Sequence, residues 1–126
     1  MLISENQILR ADDLYHVYDT EAVDGNIVAL RGIYIEVKRG EVVSVVGPSG
    51  SGKSTLMKCL GGLMKSSAGD VFFEGKSISR LTAAELLNLR QHTVSFIFQD
   101  SNLLPYMNVL NNVALPLKYM KISPRQ

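Results

Sequence analysis

The sequence has little of what marks secreted, membrane-spanning or nucleic-acid-binding proteins. It contains one cysteine, so no disulfide forms within the chain, and a reducing compartment is expected. No apolar run approaches the roughly 18 residues of a membrane span, and residues 1–5 lack the basic start and apolar stretch of a signal peptide. Basic and acidic residues are interspersed and leave a net charge of +1, which gives no reason to expect a nucleic-acid surface or a polybasic membrane anchor.

Metal-ligand clusters are also lacking. His16 and His92 are isolated, and we interpret both as ordinary surface or strand-end residues. Cys59 lies on the apolar stripe of a predicted helix. It is interpreted as a small buried hydrophobic side chain rather than as a reactive thiol.

The sequence does contain one strong phosphate-binding pattern. Residues 47–55 read GPSGSGKST and fit the pattern G-x-x-x-x-G-K-S/T. Glycines let the backbone turn tightly and aim its N–H groups at an anion. Lys53 supplies a mobile charge for the β- and γ-phosphates of a nucleotide, and the Ser54 hydroxyl can bind Mg²⁺. The helix that follows presents its positive dipole end to the same phosphates.

The flanking sequence predicts the strand and the helix that this loop requires. Residues 41–46 read EVVSVV, a short and nearly continuous apolar run that predicts a strand buried on both faces. After the loop, apolar residues recur at helical spacing; they are Leu56, Cys59, Leu60, Leu63 and Met64. This context disfavours the alternative, a Gly/Ser-rich linker.

Three further strands are predicted outside this region. They are residues 7–18, 28–37 and 71–73. In the second of these, Ile33, Ile35 and Val37 alternate with polar or large residues, which indicates one covered face. The polar stretch 19–26 predicts a loop, and residues 74–76 predict a turn.

Two further helices and one more strand are predicted towards the C-terminal end. Residues 82–85 form a capping box that opens a helix, whereas residues 108–119 are weakly helical and Pro116 interrupts them. The apolar residues 94–98 predict a second buried strand that ends at Gln99. In open α/β sheets ligands bind beyond such ends, so Gln99 can lie near the phosphate loop.

Several stretches, spread over nearly the whole chain, follow the order of one protein family. They are LYHVY at 14–18, ALRGI at 29–33, GPSGSGKST at 47–55, LMKCLGGL at 56–63, GDV at 69–71, FIFQ at 96–99, NLLP at 102–105 and NVALPL at 112–117. This sequence resembles the nucleotide-binding domain of ABC transporters, most closely the ATPase subunits of the lipoprotein-release and macrolide-efflux type. The resemblance implies an α/β fold, a P-loop NTPase with an ABC-type core and an antiparallel β subdomain.

The resemblance also assigns roles to individual residues. It implies that Tyr18 stacks on adenine; the alternative is a core aromatic at a strand end. The residues that wrap the phosphates of ATP are then Gly47, Pro48, Ser49, Gly50, Ser51, Gly52, Lys53, Ser54 and Thr55. Lys53 and Gln99 become the catalytic residues, and Ser54 and Gln99 the ligands of Mg²⁺. Gln99 also communicates with the membrane subunit in this family; its alternative is a surface polar residue at a loop start.

The resemblance also shows which family motifs the sequence does not contain. The LSGGQ signature, the Walker B strand ending in Asp-Glu and the switch histidine do not occur. Residues 1–126 are therefore expected to form a partial ATP-binding domain, the β subdomain and P-loop core through the glutamine loop, truncated before the helical subdomain and Walker B. Some of the apolar side chains of residues 103–117 are then expected to be exposed, which predicts association or poor solubility.

Three functional hypotheses stay open. The first is the ATP-binding subunit of an export-type ABC transporter, which binds Mg-ATP and, when intact, couples hydrolysis to transport. Its partners are a membrane permease and a second ATP-binding subunit, and its location is the cytoplasmic face of the cell membrane. The second is a non-catalytic fragment that binds nucleotide weakly or acts as an interaction module. The third is a different P-loop enzyme, such as a small kinase or GTPase, which Tyr18 and Gln99 do not support.

Overall fold

The computed structural model describes residues 6–19 and 25–120. Its elements are β1 (Gln7–Tyr18), β2 (Ile27–Lys38), α1 (Lys53–Leu60), β3 (Ala68–Phe73), β4 (Lys76–Ser77), a short 3₁₀ helix (Ile78–Arg80), α2 (Ala83–His92) and α3 (Val109–Tyr119). The chain divides into two compact units, Met1–Thr82 and Ala83–Gln126. The expectation about residues 1–5 and most of the predicted loop at 19–26 lie outside the described residues.

The first unit is built on a four-stranded sheet with the order β2-β1-β3-β4. β1 lies in the middle and pairs antiparallel with β2 along its whole length and with β3 along most of it. β3 and β4 form a short hairpin at one edge. The predicted antiparallel subdomain is therefore confirmed, and β3 is longer than the three residues that the sequence predicted.

Alternation along the strands places apolar side chains on one face of the sheet, where α1 contacts β1 and β2. In β2, Ile33 and Ile35 are half-buried whereas Tyr34 is exposed, as the sequence predicted. The buried core consists of Ala11, Leu14, Leu30, Leu56, Cys59, Leu60 and Val71. Cys59 lies in this core, as predicted for a small buried hydrophobic side chain, and burial raises the pKa of its thiol.

β1 carries a bulge at Asp13. This residue has a φ of 49°, a left-handed conformation that aspartate tolerates better than most side chains. The pairing of β1 with β2 shifts register between Ala11 and Leu14, and its pairing with β3 shifts just after Asp12. An extra residue of this kind bends a strand and re-aims the side chains that follow it. The bulge therefore sets which face the C-terminal part of β1 presents to α1.

Two predicted strands are wrong. Residues 41–46 and 94–98 are irregular in the structure, and the side chains of Val42 and Ile97 are 92% and 96% exposed. A strand forms only where a neighbouring strand takes its backbone hydrogen bonds, and no described strand pairs with either segment. In the first segment only Val45 packs against the core.

The second unit contains α2 and α3. α2 begins directly after Thr82, where the capping-box pattern predicted a helix start. α3 is capped by Asn108, whose side-chain oxygen accepts a hydrogen bond from the backbone N–H of Asn111 at 2.8 Å. None of the described helices combines the length and the apolar character needed to cross a membrane.

Pro116 does not interrupt α3, contrary to the prediction. It lies inside the helix, which continues to Tyr119. Proline removes one helical hydrogen bond because it has no N–H, but the bonds on either side hold, and the Met120 N–H donates to the Pro116 carbonyl at 3.0 Å. The helix therefore tolerates the one hydrogen bond that Pro116 removes.

Asn112 fastens the preceding loop to α3. Its side-chain N–H groups donate to the carbonyls of Leu104, Met107 and Asn108 at 3.0–3.1 Å. Its side-chain oxygen accepts from the Leu104 N–H at 2.8 Å. One amide side chain thus contacts four backbone groups of the loop and of the helix start.

Candidate nucleotide-binding site

The phosphate loop folds around the side chain of Lys53. The Lys53 ammonium group donates hydrogen bonds to the carbonyls of Gly47 at 2.8 Å and Pro48 at 2.6 Å, and it lies 3.4 Å from Ser51 Oγ. The loop closes on itself through a hydrogen bond from the Ser51 N–H to the Pro48 carbonyl at 3.3 Å. The positive charge therefore lies within the loop and is held by neutral acceptors, which an anionic phosphate outcompetes.

Gly52 joins the loop to α1 and to the sheet. It is the N-cap of α1 with φ 89° and ψ 4°, and it offers no side-chain cap to the first turn. A Cβ atom at Gly52 would lie closer than 3.0 Å to the backbone carbonyl oxygen of Ala29 in β2. The loop thus approaches β2 more closely than any residue with a side chain allows. The first-turn N–H groups, which have no side-chain cap, are available to an anion.

Tyr18 lies at the end of β1 and contacts the helix that follows the loop. Its hydroxyl oxygen lies 3.0 Å from Thr55 Oγ1 in α1 and 3.6 Å from Met64 Sδ. Because a phenol has one hydrogen, it can donate to Met64 while it accepts from Thr55. The fold therefore brings Tyr18 to the phosphate loop, and its side chain is 37% exposed.

Ser54 is the residue of the loop motif that suits a metal ion. Its side chain is exposed in the first turn of α1. The described part of the chain contains no cluster of three or more histidine, cysteine, aspartate or glutamate side chains that could hold a metal. A hydroxyl oxygen is a hard ligand of the kind that Mg²⁺ accepts, and Mg²⁺ takes its other ligands from water and phosphate. These residues fit a magnesium ion that arrives with a nucleotide.

His16 is the residue of this site that the sequence interpretation missed. It is neither a surface residue nor a strand-end residue, because it lies inside β1 and is only 9% exposed. Its ring meets the ring of Tyr18 edge to face, with centroids 4.6 Å apart and planes at 79°. The sequence signal for this contact was the spacing of two residues between His16 and Tyr18, because residues two apart in a strand lie on the same face.

Gln99 belongs to the second unit. Its side chain is exposed, and the backbone before it is irregular rather than a strand. The expected position of Gln99 beside the phosphate loop therefore stays a prediction.

The antiparallel sheet and the glycine-capped helix after the phosphate loop fit a P-loop core of the ABC type. Residues 30–125 match the family model described as ABC transporter. The chain belongs to the ABC transporter family, and the resemblance recognised in the sequence is confirmed.

Curated relatives cover nearly the whole chain. It is 39% identical over 120 residues to an uncharacterized ABC transporter ATP-binding protein of Thermotoga maritima, an alignment that covers 95% of this chain and 50% of that protein. It is 42% identical over 119 residues to the lipoprotein-releasing system ATP-binding protein LolD 2 of Caulobacter vibrioides, covering 94% and 51%. It is 45% identical over 101 residues to the methionine import ATP-binding protein MetN of Bartonella henselae, covering 80% and 29%. The chain spans about half the length of the first two relatives.

A solved structure shares the fold. It is a dimer of the ATP-binding cassette MJ0796 in a post-hydrolysis state, bound to ADP and Pi. The similarity has a TM-score of 0.83 at 34% sequence identity and covers 92% of this chain and 49% of that chain. This agreement confirms the predicted fold class.

Proposed function

We propose that this chain binds Mg-ATP through residues 47–55 as the ATP-binding part of an export-type ABC transporter. The observation that carries the proposal is the Lys53 ammonium group, which lies inside the loop at the start of a helix without a side-chain cap. Lys53 contacts the β- and γ-phosphates, the loop N–H groups surround them, and the Ser54 hydroxyl binds Mg²⁺.

In the same proposal Tyr18 stacks on the adenine base. Its hydroxyl is anchored to α1 within hydrogen-bonding distance of Thr55, and the ring is partly exposed. An aromatic ring held beside the phosphate loop supplies the flat surface that a base needs.

Tyr18→Ala is expected to weaken ATP binding about 5- to 150-fold, because a base–aromatic stack contributes about 1–3 kcal/mol. Binding of inorganic triphosphate should not change, since it has no base. Tyr18→Phe should retain most of the affinity for ATP because it keeps the ring and loses only the hydroxyl contacts with Thr55 and Met64. Isothermal titration calorimetry with Mg²⁺ present measures all three.

The control for this experiment is Tyr106→Ala, which removes an exposed tyrosine from the second unit. It should bind both ligands like the unmutated chain. Equal affinity of the unmutated chain for ATP and inorganic triphosphate would contradict the stacking role of Tyr18. Failure to bind either ligand would contradict the proposed function as a whole.

Export, rather than import, is the second part of the proposal. The LolD 2 alignment covers 94% of this chain, compared with 80% and 91% for two methionine import proteins. The whole protein then acts at the cytoplasmic face of the membrane, with a permease and a second ATP-binding subunit, and Gln99 and Lys53 serve its hydrolysis step. Substrate accumulation inside inverted membrane vesicles that carry the whole transporter checks the direction of transport.

The permease contact is proposed to use the apolar face of α3. This face consists of Val109, Leu110, Val113 and Leu117, all of which are exposed, as the sequence predicted. An apolar patch of this kind marks an interaction surface. It supports the permease as a partner, and it equally supports the second hypothesis, an interaction module.

The doubly substituted chain Leu110→Lys, Val113→Lys is expected to associate less than the unmutated chain. Burial of each side chain at a contact is worth about 1.5–3 kcal/mol, which a charged group forfeits. Analytical ultracentrifugation over a range of concentrations measures the shift towards monomer. Asn111→Lys, which adds one lysine charge at an exposed polar position of α3 and keeps the apolar face, is the control. Identical sedimentation of all three proteins would show that the apolar face of α3 does not drive association.

A further inference from the structure

We propose that His16 is a positioning residue, which fixes the ring orientation of Tyr18 so that one face is presented to the base of a bound nucleotide. This inference rests on the proposed function, because it concerns the same site. Nothing in the loop motif itself points to His16, since the two are more than 30 residues apart in the sequence.

The position of His16 follows from the register of β1. Beyond the bulge at Asp13, Leu14, His16 and Tyr18 follow one another at a spacing of two residues and share one face of the strand. Leu14 is fully buried in the core, His16 is 9% exposed and Tyr18 is 37% exposed. The series thus leads from the core to the phosphate loop, and His16 fills the space between the two.

The hydroxyl contact alone does not orient the Tyr18 ring. The hydroxyl oxygen of a tyrosine lies on the axis about which its ring rotates at χ2, so a hydrogen bond to Thr55 fixes the tip and leaves the ring free to turn. The ring of His16, which meets Tyr18 edge to face at 4.6 Å, is the contact that resists this rotation. Such a contact occupies at most one face of the Tyr18 ring, so another face remains for a base.

A hydrogen bond at Nδ1 does not explain the position of His16. Nδ1 is buried and has no hydrogen-bond partner, although a buried polar atom is normally paired. The flat ring, rather than a hydrogen bond from Nδ1, is therefore what the site uses. A phenylalanine at this position keeps the ring and removes the unpartnered nitrogen, so it should preserve the function.

The experiment compares His16→Ala and His16→Phe with the unmutated chain, using calorimetry with ATP and with inorganic triphosphate in the presence of Mg²⁺. His16→Ala should bind ATP about two- to tenfold more weakly and triphosphate equally well, the loss expected for one aromatic pair. His16→Phe should bind ATP within about twofold of the unmutated chain. His92→Ala, which removes an exposed histidine from α2, should bind like the unmutated chain.

A second measurement follows the ring directly. NMR of the Tyr18 ring protons should show faster ring flipping in His16→Ala than in the unmutated chain and in His16→Phe. Unchanged flipping, or an equal loss of ATP and triphosphate affinity in His16→Ala, overturns the positioning role. An unmutated chain that binds ATP no better than triphosphate overturns the proposed stacking instead, and the flip rates still decide whether His16 restrains Tyr18.

Discussion

Replacing Lys53 by alanine is expected to weaken the binding of Mg-ATP about 10- to 150-fold, because a charge-assisted contact to phosphate is worth about 1.5–3 kcal/mol. The ammonium group already lies within hydrogen-bonding distance of the carbonyls of Gly47 and Pro48. Anionic phosphate oxygens are stronger acceptors than these carbonyls, so a bound nucleotide takes over the donors of Lys53. Calorimetric titration of the purified chain measures the change.

Two comparisons make this prediction specific. The affinity of Lys53→Ala should fall by the same factor for inorganic triphosphate as for ATP. The affinity of Tyr18→Ala should fall for ATP alone. Lys58→Ala, which removes the lysine in the last turn of α1, should bind both ligands normally. Unchanged binding by Lys53→Ala would remove the phosphate-loop interpretation. The contacts of Lys53 are exposed, so thermal unfolding should barely change and cannot account for lost affinity.

The sequence predicted those elements whose partners lie within the described chain. The strand predicted at residues 28–37 is observed as Ile27–Lys38, and the alternation of Ile33 and Ile35 with exposed residues is observed too. The apolar stripe after the loop predicted α1, and its Leu56 and Leu60 lie in the core. In these segments the local pattern and the packing neighbours agree, which is why the prediction succeeds.

The two buried strands were predicted wrongly because a pattern reports hydrophobicity and not partners. Residues 41–46 and 94–98 have the composition of strands in the interior of a sheet, yet Val42 and Ile97 are almost fully exposed. The chain spans about half the length of its relatives from Thermotoga maritima and Caulobacter vibrioides. Hydrogen-bonding neighbours for a strand come from elsewhere in a fold, and no property of a short, mainly apolar run shows whether those neighbours are present.

Within the candidate site, too, some residues could be predicted from the sequence and others depend on the fold. The phosphate loop is contiguous, so its residues could be named from the motif alone. The proximity of Tyr18 to Thr55 depends on strand register, and only the family resemblance pointed to Tyr18 as a residue of the site. The burial of His16 depends on the bulge at Asp13 and on the shifted pairing beyond it, and its signal in the sequence was the spacing of two residues from Tyr18.

Gly52→Ala is expected to lower the free energy of unfolding of the first unit by about 2–5 kcal/mol. Two costs add. A left-handed conformation costs a residue with a Cβ atom about 1–2 kcal/mol, and Gly52 has a φ of 89°. Forcing a methyl group into an occupied space costs about 1–3 kcal/mol more, and the space at Gly52 is occupied by the carbonyl oxygen of Ala29. Denaturant unfolding followed by circular dichroism measures the sum.

Gly50→Ala separates the two costs. Gly50 also has a positive φ, of 80°, but a Cβ atom there would meet nothing within 4 Å. The free energy of unfolding of Gly50→Ala should therefore fall by the conformational cost alone, about 1–2 kcal/mol. The extra loss in Gly52→Ala then measures the close approach between the loop and β2, because the two glycines lie two residues apart in the same loop. Equal stability and equal Mg-ATP affinity of the two variants would show that contact with Ala29 does not hold the loop in place.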